Sequence, residues 1–151
     1  MNPRRIGYTK AVQSAPTATN DVVVALRPEP AAVGAARRTL VQKGLDDDLT
    51  HTVCLLASEA VTNSIRHAGL KETDRIVLAA RMAPEFVRVE VRDPGNGFDP
   101  EIRHQASGYG LRMLEMLASR WGVDRHESGC RVWFEIDRRR RRFDRNPARS
   151  R

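Results

Sequence analysis

"VRDPGNGFDP", residues 91–100, runs from a valine alternation into a carboxylate, a proline and two glycines. Its vocabulary is that of a turn, since glycine accepts positive φ without steric cost and an Asp side chain can bond its own backbone. The residues leading into it add a constraint. In "FVRVEVRD", residues 86–93, Val87, Val89 and Val91 share one face of a strand, while Phe86, Arg88, Glu90 and Arg92 share the other. Asp93 has the parity of the valines. If the pleat persists that far, its carboxylate is aimed at the core side, where it must find a donor. If the strand stops at Val91, Asp93 caps its own turn.

Working outward, the chain reads as strand, two helices, two strands, loop, helix, two strands. "DVVVALRP" (21–28) predicts a buried strand. "PEPAAVGAARRTLVQKG" (28–44) predicts a first helix with Val33, Ala36, Leu40 and Val41 on its apolar face and Gly44 at its end. A second helix opens on Asp46, Asp47 and Asp48, which suit the positive end of a helix dipole, and stops at Gly69. "DRIVLAARM" (74–82) and "FVRVEVRD" predict two strands joined by "APE". "GYGLRMLEMLASRWG" (108–122) predicts a third helix, followed by strands "VDRHE" (123–127) and "CRVWFEID" (130–137) around the turn "SG". Strand and helix do not alternate regularly, so a doubly wound parallel sheet is not expected. The order predicts an α+β two-layer sandwich: a mixed, mostly antiparallel sheet with three helices on one face.

The 151 residues suffice for one domain with a substantial core. Residues 138–151 hold eight arginines against one aspartate, and without them the 26 basic and 19 acidic side chains come out even. The basic character therefore belongs to a tail and not to the body, which predicts a solvated segment, with a basic arm for phosphate or an acidic partner as the alternative. Residues 1–20 are polar and aperiodic and predict a mobile arm, leaving 21–137 as the folded domain. Cys54 and Cys130 are too few for a disulfide framework, and no run approaches a signal peptide or a membrane span. A cytoplasmic protein with reduced thiols is expected, without a membrane or specific nucleic-acid partner.

On the second helix, successive residues advance about 100°. Leu49, Val53, Leu56, Ala57 and Ala60 define an apolar stripe, with Asn63 against it, Glu59 on its border and His67 within it. Glu59, Asn63 and His67 thus form a polar ridge at i, i+4 and i+8. Each alone fits an ordinary helix role; together on the margin of a core they call for a ligand or metal to satisfy them. Downstream, Gly108 and Gly110 flank the start of the third helix, where free backbone N–H groups favour an anion. An inward Asp, a Gly-x-Gly loop, this ridge and a glycine-opened helix together describe a nucleotide pocket. Other nucleotide motifs are missing: no G-x-x-x-x-G-K-[ST], no G-x-G-x-x-G after a strand, no kinase H-R-D or D-F-G. His51, Cys54, His126 and Cys130 have passable zinc spacing, but nothing in the sequence joins the two pairs.

Three motifs coincide in order: "EAVTN" (59–63) with "IRHA" (65–68), "DPGNGF" (93–98), and "GYGL" (108–111) followed by "SRWG" (119–122). Together they resemble the Bergerat ATP-binding fold of gyrase, Hsp90, histidine kinases and MutL-type proteins. Within it, residues 21–137 look like the small anti-sigma-factor serine kinases. The resemblance implies ATP and Mg²⁺ as cofactors. It implies Asp93 as acceptor for the adenine amino group, with Gly95 and Gly97 letting the loop pass close to the ring. Asn63 would hold Mg²⁺, and Glu59 would act as general base. His67 would border the nucleotide site, and Gly108, Tyr109, Gly110 and Leu111 would present backbone amides to the phosphates beneath a lid at 99–107.

The partners implied are a sigma factor and an anti-anti-sigma antagonist whose serine is phosphorylated. Such proteins often form homodimers, though no stripe here specifies an interface. A histidine kinase would need a helical pair carrying an acceptor histidine, and a gyrase- or MutL-like protein a transducer domain; neither is expected from this chain. The sequence also departs from the family. Cys130 stands where a hairpin threonine commonly helps hold adenine, and Ala106 stands where a phosphate-facing arginine is found, with Arg103 or Arg112 as substitutes. These departures bear on phosphotransfer more than on nucleotide binding.

Overall fold

A computed structural model describes residues 22–45, 47–95 and 109–138. The predicted arm at 1–20, the lid at 99–107, Gly97, Gly108 and the arginine tail after Arg138 lie outside the described residues. Five strands and three helices follow one another as β1 (Val22–Leu26), α1 (Ala31–Val41), α2 (Asp47–His67), β2 (Ile76–Met82), β3 (Phe86–Asp93), α3 (Tyr109–Leu117), β4 (Arg120–His126) and β5 (Gly129–Asp137). The sheet order is β1-β2-β3-β5-β4.

Every described strand pair is antiparallel, which corrects the expectation of a mixed sheet. The α1–α2 pair spans the gap between β1 and β2 and returns the chain antiparallel. β3 and β4, linked through α3, do run the same way, but β5 inserts between them. The predicted α+β sandwich is otherwise what forms.

The two sheet faces follow directly from alternation. On one face Ile76, Leu78, Ala80 and Met82 of β2, the three valines of β3, and Val132, Phe134 and Ile136 of β5 are buried under the helices. From the helix layer, Ala32, Ala36 and Leu40 of α1 and a long stripe of α2 complete the core. Gly44 and Gly69 adopt φ of 69° and 65° past the ends of α1 and α2, as their positions in the sequence predict. Cys54 and Cys130 are both buried and form no disulfide. Burial pushes the Cys54 thiol up, with the Arg37 charge pulling weakly the other way. No described helix is long and apolar enough to cross a membrane.

Three local expectations are corrected. β1 is an edge strand, not a buried one: Val22 and Leu26 are covered, but Val23 is 72% exposed. On α1, Val41 stands out into solvent and Ala32 joins Ala36 and Leu40 in the core, because Val41 lies about 100° round the helix from the buried line of Ala32, Ala36 and Leu40. The third helix stops at Leu117, and "SRWG" is already turn and strand. The spacing of Leu114, Leu117 and Trp121 imitates a helix. Pairing wins, since Trp121 lies opposite Phe134 and Gly122 gives room to the Trp133 ring on the neighbouring strand.

The other face of the sheet is charged and self-paired. Glu90 bonds Arg88 and Arg92, Arg120 bridges Glu135 and Asp137, Arg131 pairs with Asp124, and the Arg88 guanidinium lies 4.2 Å above the Trp133 ring. Burial alone would raise the Glu90 carboxyl. Hydrogen bonds from Arg92 and Arg88, with the charges of Arg88 and Arg131, outweigh it and hold the group below its ordinary value of about 4.5. A depressed folded-state pKa contributes stability that is complete above the unfolded value and is lost as pH falls through the folded one. Glu90→Gln is therefore expected to lower the urea midpoint at pH 7 and to flatten its decline below about pH 4.5. Parallel curves for the two proteins across the acid range would contradict that.

Candidate functional site

The site is assembled where the C-terminal half of α2 lies across the end of β3. The strand keeps its pleat to its last residue: Asp93 is the cross-strand partner of Cys130, as Val91 is of Val132. Directly opposed residues point to the same face, so Asp93 and the buried Cys130 share the helix side. The two readings of Asp93 turn out to be compatible. Its Oδ2 accepts from the Ser64 hydroxyl of α2 at 2.7 Å, and its Oδ1 accepts from the Gly95 N–H at 3.0 Å. The carboxylate faces the helix layer and also caps the turn that follows.

Gly95 is required here for a reason the sequence does not disclose. A Cβ at this position would overlap the Ala68 carbonyl oxygen and stand 2.7 Å from the Ala68 Cβ. In the described structure the close approach is to the end of α2. Gly129, at φ 139°, plays the matching part on the hairpin, where a Cβ would run into the Asp93 carbonyl. Asp93, Pro94 and Gly95 are thus bedded between the end of α2 and the β4–β5 hairpin.

Glu59 and Asn63 are half-buried on α2, on the margin where the periodicity puts them. His67 is exposed, against its expected place within the apolar stripe. Over the last turns the buried line follows Ala57, Ala60, Val61, Ser64 and Ala68, which leaves His67 on the flank of the final turn. Tyr109 opens α3, so Gly110 and Leu111 stand in the first turn of a helix that packs against α2. The structure thus brings Asp93, Gly95, Ser64 and Cys130 together beside the Glu59–Asn63 ridge, with the exposed His67 one turn further along α2. Ser64 is the residue the sequence reading missed. Its only signal is a hydroxyl on the apolar stripe directly after Asn63.

A cavity of about 650 Å³ opens at the same end of the sheet, with Asp93, Pro94, Gly129 and Cys130 in its walls alongside Arg92 and Arg131. Glu59 and Asn63 do not line it, so it is distinct from the ridge on α2. Among the described residues no three His, Cys, Asp or Glu side chains gather as a metal site. An Mg²⁺ ion bound here would rely on few protein ligands, as is usual for this cation with phosphates, and the Asn63 amide oxygen is a suitable hard donor. The Asp93 carboxylate also fits a nucleobase amino group, since two accepted hydrogen bonds leave further acceptor positions on its oxygens.

Two solved structures share this architecture. The RsbU and RsbW domains of Rv1364c from Mycobacterium tuberculosis match with a TM-score of 0.62 at 23% identity, over 78% of this chain and 32% of that one. The blue-light activated histidine kinase EL346 of Erythrobacter litoralis matches with a TM-score of 0.50 at 22% identity, over 70% of this chain and 40% of that one. At such identities the likeness is one of fold, and the chain spans well under half the length of either neighbour. The family model of the histidine kinase-like ATPase domain matches residues 22–136. Sheet, helix order and sequence together place the chain in the histidine kinase-like ATPase domain family.

Proposed function

We propose that the domain binds Mg·ATP between α2, the end of β3 and the start of α3, and transfers the γ-phosphoryl group to a serine of a small anti-anti-sigma protein. When that antagonist is absent it holds a sigma factor, so that the pair forms a partner switch. The single observation that carries this reading is the inward Asp93 carboxylate, gripped by Ser64 and the Gly95 amide. Family membership and the fold shared with an RsbW-containing chain support it.

Asp93 accepts the adenine amino group. Asn63 supplies an oxygen to the metal, and Glu59, one turn earlier on α2, takes the proton of the attacking serine hydroxyl. Backbone N–H groups from Gly108 to Leu111 orient the phosphates, with the helix dipole adding to their effect. Bound Mg²⁺ neutralises phosphate charge, and the protein contributes chiefly by positioning.

With labelled ATP and the cognate antagonist, label is expected on a serine. Glu59→Ala should lower the rate about 10²–10⁴-fold, the usual contribution of a general base, while nucleotide affinity is kept. No transfer by the wild type, with the same result for the variant, would defeat the kinase assignment. Cys130 at the hairpin position favours a second reading, a nucleotide-gated binding protein that turns over little. Tight Mg·ATP binding without label transfer would select it.

A further inference from the structure

α2 buries three hydroxyl side chains, and they are used differently. Thr52 donates to the Asp48 carbonyl at 3.1 Å and Ser58 to the Cys54 carbonyl at 2.6 Å, each closing onto its own helix four residues back. Ser64 donates across the fold to Asp93, twenty-nine residues away in the chain. It is 5% exposed, at a position where alanine would pack without a polar group to satisfy and with better helix propensity. The hydroxyl is thus explained by its partner.

A carboxylate turns easily about its last torsion, whose energy is broad. The Gly95 amide fixes one oxygen, but that amide belongs to the same turn and moves with it. Ser64 ties the other oxygen to a long helix packed on the core. Two donors from separate elements define the plane of the carboxylate and so the direction of its remaining lone pairs.

We infer that Ser64 is a positioning residue that sets the Asp93 carboxylate for an exocyclic amino group, and so tunes the preference of the site for a 6-amino over a 6-oxo purine nucleotide. The inference rests on the reading of Asp93 as the adenine acceptor. ATP and ITP carry the same ribose and phosphates. They differ at the atom that faces Asp93, where ATP donates a hydrogen bond and ITP presents an oxygen to a carboxylate.

The test is titration of wild type, Ser64→Ala and Asp93→Asn with Mg·ATP and with Mg·ITP, after thermal melts establish that each variant is folded. Hydrogen bonds to charged groups set the scale, so Ser64→Ala is expected to weaken ATP about tenfold and leave ITP unchanged, collapsing the ratio between them. Equal weakening of both nucleotides would assign Ser64 a merely structural part and overturn the inference. Unchanged ATP affinity in Ser64→Ala, where Asp93→Asn loses it, would overturn the inference while sparing the adenine reading. If Asp93→Asn itself binds ATP normally, the adenine reading falls and this inference with it.

Discussion

Gly95→Ala is expected to abolish measurable Mg·ATP binding and to destabilise the fold by about 1–3 kcal/mol, the usual range for overpacking a tight site. Gly95 does not adopt a positive φ, so the obstacle is space: the added methyl meets the Ala68 carbonyl and Cβ at the end of α2. That stretch of helix cannot retreat, because Ser64 and Ala68 are packed into the core. The loop must lift instead. Lifting it breaks the Gly95 N–H bond to Asp93 and disturbs the last cross-strand pair, Asp93 with Cys130. Gly69→Ala is the natural comparison, since its φ of 65° imposes strain but a Cβ there meets nothing within 4 Å. It should cost about 1–2 kcal/mol and leave nucleotide binding intact. Urea unfolding and an ATP titration on both variants separate the two cases, and Gly95→Ala behaving as the wild type would refute the bedding of the loop.

The fold was legible wherever one period decided it. Alternation in "FVRVEVRD" assigned both faces of β3, because a pleat admits no intermediate answer, while the direction of Asp93 waited on the strand's running to its last residue. Gly44 and Gly69 marked their helix ends because the positive φ they adopt is costly for other residues. Legibility failed where the outcome depended on residues distant in the chain. An apolar "VVVAL" reads as buried, but its place at the sheet edge is settled by strand order, which leaves Val23 in solvent. "SRWG" carries helical spacing into what becomes β4, because the pairing of Trp121 with Phe134 is decided by β5.

The candidate site divides in the same way. Glu59, Asn63 and Asp93 could be placed from periodicity. His67 could not, because the buried line of α2 drifts round the helix toward Ala68 over its last turns. Ser64 looked like a small residue on an apolar stripe, and its role depends on a strand end twenty-nine residues later. Gly95 was singled out by its motif, yet the neighbour that demands it is Ala68, which no spacing rule connects to it.

Asp93→Asn carries the second large effect. The substitution preserves shape but exchanges one acceptor oxygen for an amide donor, so either the Ser64 hydroxyl or the Gly95 N–H faces a donor, or the base amino group does. Losing a hydrogen bond to a charged group and leaving a donor unsatisfied together imply a loss of roughly a hundredfold or more in affinity. Isothermal calorimetry of Mg·ATP binding to the wild type beside Asp93→Asn measures this directly. Saturable heat from the wild type and a flat titration from the folded variant are the predicted result; equal binding by both, or binding by neither, would contradict an ATP site built on Asp93.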